Sequence, residues 1–182
     1  MPRQELTKQL IADTTKNLAL KKQLDKISVS EIVDTAGINR QTFYYHFADK
    51  QELICWIFDT DISMLTDKNK NDTLIDDIIE YIYSEKVFYT AALTSEAQNN
   101  LREHLYEVCY SRCIDEITSM LGDRKMDEKI IEFLAGFFSN AITGALFQWA
   151  QKGMKGDNIK FVENYAPVFK ELLILAIDRY SE

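Results

Sequence analysis

Little in this sequence bends a chain sharply, ties it covalently or carries it across a bilayer. Two prolines and six glycines among 182 residues leave long uninterrupted stretches. Between them the abundance of Leu, Ile, Lys, Glu and Ala predicts an all-α chain. No run of 18 uninterrupted apolar residues occurs, and the opening MPRQELTKQ lacks an apolar signal core, so a cytoplasmic protein with no membrane partner is expected. Histidine appears twice, as His46 and His104, and cysteine three times. Cys109 and Cys113 lie one helical turn apart, but a metal site needs three or four ligands, and only His104 is near, off that face. No metal and no cofactor is therefore expected. A reducing cytoplasm disfavours a disulfide, and the default for these cysteines is a small buried apolar residue; a redox switch through Cys109 and Cys113 is the alternative. Phosphate-cradling Gly loops, GxSxG and HExxH are all missing. Asp76, Asp77 and Glu80 fall on what should be a solvated helix face. No catalytic residue and no enzyme activity is expected.

What is present concentrates between Ile27 and Lys50, ISVSEIVDTAGINRQTFYYHFADK. Ser28 followed by Glu31 is a capping box that predicts a helix from Val29. Ile32 and Val33 point inward, and Ala36 is small enough for another helix to cross close by. Gly37 can take the left-handed conformation that ends a helix. Asn39 then caps a second helix running to about Phe47, with Phe43 and Phe47 on its buried side. Two short helices joined by a tight Gly turn match the helix-turn-helix, whose second helix reads the DNA major groove. Outward from that helix come Arg40, Gln41, Thr42, Tyr44, Tyr45 and His46. Arg suits guanine and Gln adenine, while hydroxyls and aromatic rims suit phosphates and the thymine methyl. Asp49 to Glu52 forms a second capping box, opening a helix whose exposed amides, with Lys50, could hold a phosphate. The bland reading, a polar face on an ordinary helical hairpin, accounts for each residue singly but not for the ordered set.

The stretch AGINRQTFYYHFADKQELI closely resembles the DNA-binding signature of the TetR family of bacterial transcription regulators, over roughly residues 5 to 58. Its most specific pieces are Gly37, Thr42-Phe43-Tyr44, His46-Phe47 and Lys50. The resemblance implies base contacts from Arg40, Gln41 and Tyr45 and phosphate contacts from Tyr44, His46 and Lys50, alongside the Thr42 hydroxyl.

Net charge is −8, which at first opposes binding to nucleic acid. Its distribution resolves the conflict. Residues 1–52 carry eight Lys and Arg against seven Asp and Glu, whereas residues 53–182 carry thirteen against twenty-two. The acidity thus lies in the later part, where it keeps that part off DNA. A DNA-binding domain over 1–52 and a helical effector- or partner-binding and dimerisation domain over 53–182 are expected. Lys21, Lys22 and Lys26 could lie near a DNA backbone or in a solvated loop.

Helices are predicted at about Arg3–Ala19, with Leu6, Leu10, Ile11, Thr14 and Leu18 as the covering stripe, and from Asp49 to about Leu65 as a connector. A polar loop at 66–72 follows, then helices at about 73–92, 95–121, 127–153 and 158–180. The helix over 127–153 is apolar nearly all round, and Gly136 and Gly144 would let another backbone approach. Pro167 should kink the last helix or mark its start. Two such apolar helices predict a homodimer through a four-helix bundle, with Phe138, Ile142, Leu146, Phe169, Leu172, Leu173 and Ile177 at the interface. The TetR resemblance implies the same arrangement, and with it a palindromic operator of double-stranded DNA.

The later chain is also rich in aromatics. Tyr81, Tyr83, Phe88, Tyr89, Tyr106, Tyr110, Phe137, Phe147 and Trp149 could line an effector pocket or simply fill the core; Tyr81, Phe88, Tyr106, Tyr110, Phe137 and Trp149 are the candidates chosen for the pocket. Glu85 to Tyr89, Leu101 to Leu105 and Gln148-Trp149 resemble a branch of the family that includes activators of bacterial dihydroxyacetone-kinase operons. That resemblance implies a kinase-subunit-like protein partner in place of a diffusing small-molecule effector. A second reading, a helical dimeric protein-interaction module without specific DNA binding, draws on the net acidity and is opposed by the surface from Arg40 to His46.

Overall fold

The computed structural model describes residues 3–66, 80–95, 99–155 and 158–182, and every regular element among them is helical. The expected loop at 66–72 lies almost wholly outside the described residues. By packing, the chain divides into one unit over residues 1–101 and another over 102–182. The packing boundary therefore lies well beyond residue 52, the end of the stretch read as DNA-binding.

The first unit opens with α1 (Arg3–Ala19), a 3-10 turn at Leu24–Lys26, α2 (Val29–Ala36), α3 (Arg40–His46) and α4 (Lys50–Thr66). The ends of α2 and α3 follow the capping chemistry. Ser28 Oγ accepts from Glu31 N at 3.2 Å. Glu31 does not close the box in return, because its carboxylate pairs with Lys22 Nζ at 2.6 Å. Gly37 stands at φ 69°, and the amides of Gly37 and Ile38 reach back to the carbonyls of Asp34 and Val33. This is the two-bond closure that a left-handed glycine allows. Asn39 then caps α3 through Thr42 N at 2.7 Å.

Beneath these caps Ile11, Leu24, Ile27, Ile32, Phe43, Phe47, Leu53, Ile54 and Ile57 are fully buried. Of the stripe expected on α1, Ile11 and Thr14 are buried and Leu18 half-buried, but its first two leucines are not. Ile11, Ala12, Thr15 and Ala19 face inward, while Leu6 and Leu10 are exposed. Small inward residues let α2 approach α1 closely, and bulky leucines at those places would hold it off. The helix expected over 73–92 is interrupted. Residues 80–84 are helical, Glu85 leaves the helical conformation, and α5 (Lys86–Thr94) starts anew.

In the second unit α6 (Asn99–Leu121, which begins in the first unit), α7 (Glu128–Gln151) and α8 (Asn158–Tyr180) surround one apolar core. Ile117 and Leu121 of α6 meet Leu134, Ala135 and Phe138 of α7 and Leu173 and Ile177 of α8. Helix α8 runs through Pro167, which marks neither its start nor its end. Lys125 and Glu182 exchange both backbone hydrogen bonds at 2.9 Å, closing the α6–α7 turn onto the end of α8.

Helix α7 is long and apolar enough to cross a bilayer by length and composition. Its two sides are nonetheless distinct. Leu134, Ala135 and Phe138 turn into the core, and Phe133 and Phe137 turn out, stacked on each other at 6.3 Å. On α8, Val168, Leu172 and Leu175 share one exposed side opposite Leu173 and Ile177. Three residues expected at a dimer interface, Phe138, Leu173 and Ile177, are thus buried inside the chain, because the helical phase directs them to α6. Leu172 is exposed, Ile142 and Leu146 are half-buried, and the Phe169 side chain lies outside the described residues.

Candidate nucleic-acid interface

Phe43 and Phe47 anchor α3 from below, and most of its polar side chains are turned out. Phe47 packs edge-on to Trp56 of α4 at 5.7 Å, and Lys8 of α1 lies over both rings. Anchored in this way, α3 leaves Arg40, Gln41, Tyr44 and Tyr45 exposed, with Tyr45 at 70%. His46 is half-buried, its ring edge against Tyr45 at 4.9 Å. Three of the side chains on α3 read as DNA contacts carry internal bonds. Arg40 donates to Ser30 Oγ on α2. Tyr45 Oη accepts from Gln4 Nε2 on α1 at 3.0 Å. The Thr42 hydroxyl donates to Asn39 Oδ1 at 2.9 Å, so its oxygen faces outward as an acceptor, which is the wrong polarity for a phosphate.

Lys50 departs further from what was expected of it. Its ammonium donates to the carbonyls of Leu24 at 2.8 Å and Ile27 at 2.9 Å, clamping the 3-10 turn to the start of α4. Burial lowers its pKa, while the nearby Asp25 carboxylate works the other way. Two of its three N–H groups are spent inside the protein, leaving one for a phosphate. The amides at the start of α4 are also less open than the second capping box suggested. Asp49 Oδ1 accepts from Gln51 N and Glu52 N, each at 2.8 Å, and Glu52 accepts from Ala48 N at 2.5 Å.

A second polar constellation of the first unit was not foreseen. Asp61 of α4 is buried and collects donors from three other segments. Lys16 of α1 meets Oδ2 at 2.8 Å, Tyr81 meets Oδ1 at 2.9 Å, and the Tyr89 hydroxyl of α5 also reaches Oδ2. Lys16 Nζ further contacts Tyr81 Oη at 3.2 Å and lies over the rings of Tyr81 and Phe88. Burial opposes the Lys16 charge, but the hydrogen bond and charge of Asp61, with help from Tyr81, outweigh it and raise the pKa. Burial first, and then Asp61, raise the Tyr81 phenol and lift that of Tyr89 well above its ordinary value. Both phenols therefore stay neutral donors. A second tether ties the Ser95 hydroxyl, just past α5, to Asp25 in the 3-10 turn. These bonds tie residues 80–95 to α1, α4 and the 3-10 turn.

The six aromatic residues read as an effector pocket fall in both packing units. In the first unit Tyr81 is committed to Asp61, and Phe88 is fully buried. In the second unit Phe137 is exposed and Trp149 is buried. Tyr110 stacks on Tyr106 at 6.0 Å. Only Tyr106 of the six lines the open hollow of about 320 Å³ between α6 and α7, beside Arg102, Glu107, Asn140, Thr143, Gly144 and Phe147. Arg102 sits over the Phe147 ring at 4.3 Å. The cysteines are free thiols. Burial, with the neighbouring Cys113, pushes Cys109 up to about 11, and burial raises Cys113 as well. Thiols so protonated are poor redox nucleophiles at neutral pH.

Comparison with known proteins adds an independent line. Residues 11–54 match the family described as "Bacterial regulatory proteins, tetR family", and residues 70–170 match a "Transcriptional regulator C-terminal region" of the TetR class. A relative in Lactococcus lactis subsp. lactis (strain IL1403), the "HTH-type dhaKLM operon transcriptional activator DhaS", is 29% identical over 123 residues. That match takes in 64% of this chain and 63% of the relative's length. A solved structure, "Dihydroxyacetone kinase operon activator DhaS", superposes with a TM-score of 0.66 at 22% identity, covering 97% of this chain and 98% of that one. At that identity it establishes a shared fold.

Proposed function

This chain belongs to the TetR family of DNA-binding transcription regulators, and from that premise we propose that it works in the cytoplasm as a homodimer on a two-fold symmetric operator. The observation that carries the proposal is the capped α2–α3 pair. Gly37 and Asn39 fix the turn, Phe43 and Phe47 seat α3, and Arg40, Gln41 and Tyr45 project from a surface with no apolar cover. That is the arrangement a major groove needs. Tyr44, His46 and the remaining N–H of Lys50 supply phosphate contacts at its flanks.

The dimer is supported by what the second unit leaves uncovered. Phe133 and Phe137 on α7, and Val168, Leu172 and Leu175 on α8, form exposed apolar sides on neighbouring helices. A second copy placing α7 and α8 against their equivalents buries these sides in an isologous four-helix bundle.

Regulation enters through the later helices. The relative's name describes a transcriptional activator of a dhaKLM operon, and by that likeness activation is the output proposed here. The hollow beside Arg102 and Tyr106 is open and shallow, which suits a protein surface better than an enclosed small effector. A kinase-subunit-like protein is accordingly the partner proposed for the second unit.

Fluorescence anisotropy with DNA from upstream of the gene, against random competitor at about 50 and 200 mM salt, tests the central reading. Preference of about a thousandfold or more for the upstream DNA supports the regulator. Absence of binding even at low salt would move the function to the protein-interaction module.

A further inference from the structure

Two of the side chains that α3 offers to DNA are gripped from outside that helix. Gln4, in the first turn of α1, donates to the Tyr45 hydroxyl at 3.0 Å across 41 residues of sequence. Ser30, on α2, accepts from the Arg40 guanidinium. Neither Gln4 nor Ser30 belongs to the recognition helix, and neither bond is needed to hold the fold, since both lie at the exposed surface.

The direction of each bond has a chemical consequence. A phenol carries one hydrogen and an oxygen that accepts. Gln4 fills the accepting side, so the hydrogen of Tyr45 is left to be donated outward. Tyr45 then seeks acceptors: a phosphate oxygen, or N7, O6 or O4 on a base edge in the major groove. Arg40 has five N–H groups in a fixed fork. Giving one to Ser30 fixes the plane of the guanidinium while leaving donors enough for the paired O6 and N7 of guanine. A long exposed side chain that is already held loses less conformational freedom when it docks. Both bonds therefore favour one orientation of a base reader before DNA arrives.

We infer that Gln4 and Ser30 are positioning residues for sequence readout, Gln4 aiming Tyr45 and Ser30 aiming Arg40. The sequence preference of the protein is then set partly by α1 and α2 residues that touch no base. The inference rests on the reading of α3 as the recognition helix.

The test begins with the full-length protein selecting its preferred duplex from a random-sequence pool. Affinity for that duplex and for a scrambled one is then measured at fixed salt for Gln4→Met, Ser30→Ala, Tyr45→Phe, Arg40→Met and the double variants Gln4→Met/Tyr45→Phe and Ser30→Ala/Arg40→Met. Methionine keeps the length of glutamine without its hydrogen bond, and alanine suits a helix at least as well as serine, so melting temperatures should hold. Each positioning variant should lower the preference for the selected duplex by about three- to tenfold, and should add little to the loss already caused by its reader variant. The base positions relaxed by Gln4→Met should coincide with those relaxed by Tyr45→Phe, which a merely structural role would not produce. Full multiplication of the two effects, or unchanged preference in both positioning variants, would overturn the inference while leaving the recognition helix intact. If the wild-type protein selects no sequence at all, the recognition-helix reading itself fails and takes this inference with it.

Discussion

The two packing units satisfy their side chains in opposite ways. In residues 1–101 every phenylalanine is buried, Phe43, Phe47, Phe58 and Phe88 alike, and the buried Asp61 finds three donors, while the leucines left exposed on α1, Leu6 and Leu10, carry no ring. In residues 102–182 an apolar core forms as well, yet Phe133 remains 69% exposed and Leu175 63%. Folding of one chain buries the phenyl rings of the first unit and leaves Phe133 and Phe137 of the second uncovered. Exposed aromatic and aliphatic stripes of that kind mark a contact with another molecule. The two units thus differ in where their phenyl rings end up, and the homodimer proposed above would cover those left open in the second.

The sharpest way to break this contrast is to charge the open side. Phe137→Asp should leave the monomer folded and weaken dimerisation by about a hundredfold or more, since burial of one such ring contributes about 1.5–3 kcal/mol and two-fold symmetry counts it twice. Sedimentation equilibrium reads this directly, and an unchanged dissociation constant would remove α7 from the interface. The first unit should answer to the opposite kind of change. Asp61→Ala strands the Lys16 ammonium and two phenols in a buried place, and should cost about 3 kcal/mol in urea denaturation without altering self-association. A loss below about 0.5 kcal/mol would mean that water replaces the carboxylate there. A smaller effect is expected at the turn. Gly37 has open space around it but a φ of 69°, so Gly37→Ala should destabilise by about 1 kcal/mol through backbone strain alone.

The mildest signature of the contrast lies in pH. Lys16, Tyr81 and Tyr89 all have pKa values raised by folding. Each therefore holds its proton better in the native state, and its contribution is complete below the unfolded values near pH 10. Stability should fall as pH climbs through the folded values, because the unfolded chain releases those protons first. Melting between pH 8 and pH 11 should show this decline, and Tyr89→Phe should flatten part of it. A Tyr89→Phe curve parallel to wild type would detach Tyr89 from the effect.

What was legible in advance was the chemistry decided within a few residues. Ser28, Gly37 and Asn39 each fix a helix end by bonds reaching three to five positions away, and those ends stand where the sequence puts them. Helix phase was harder wherever small residues competed with large ones. Ala12, Thr15 and Ala19 of α1 are buried while Leu6 and Leu10 are not, because close helix crossing rewards small side chains. The phase of α8 is ambiguous in the sequence for a related reason. With apolar residues on both sides, nothing local says that Leu173 and Ile177 face inward and Leu172 and Leu175 outward. Lys50 could be read as a phosphate grip because its carbonyl partners, Leu24 and Ile27, lie 23 or more positions earlier. The Asp61 constellation joins residues 20 to 45 apart in sequence. Its members look like an ordinary surface Lys, an Asp and two aromatic core residues until the chain folds.

The tethers from residues 80–95 to Asp61 and Asp25 bear on how such regulators can be taken apart and recombined. A hybrid that carries only residues 1–52 onto a foreign body leaves Lys16 without its carboxylate and Asp25 without Ser95. It also exposes Phe47 where Trp56 had covered it. A seam placed beyond residue 95 keeps all of these together. Hybrids joined at the two seams should differ in soluble yield and melting temperature even though both include every DNA-contacting residue. The transplantable part of this protein is defined by where its hydrogen bonds stop, and that is some forty residues past the last side chain proposed to touch DNA.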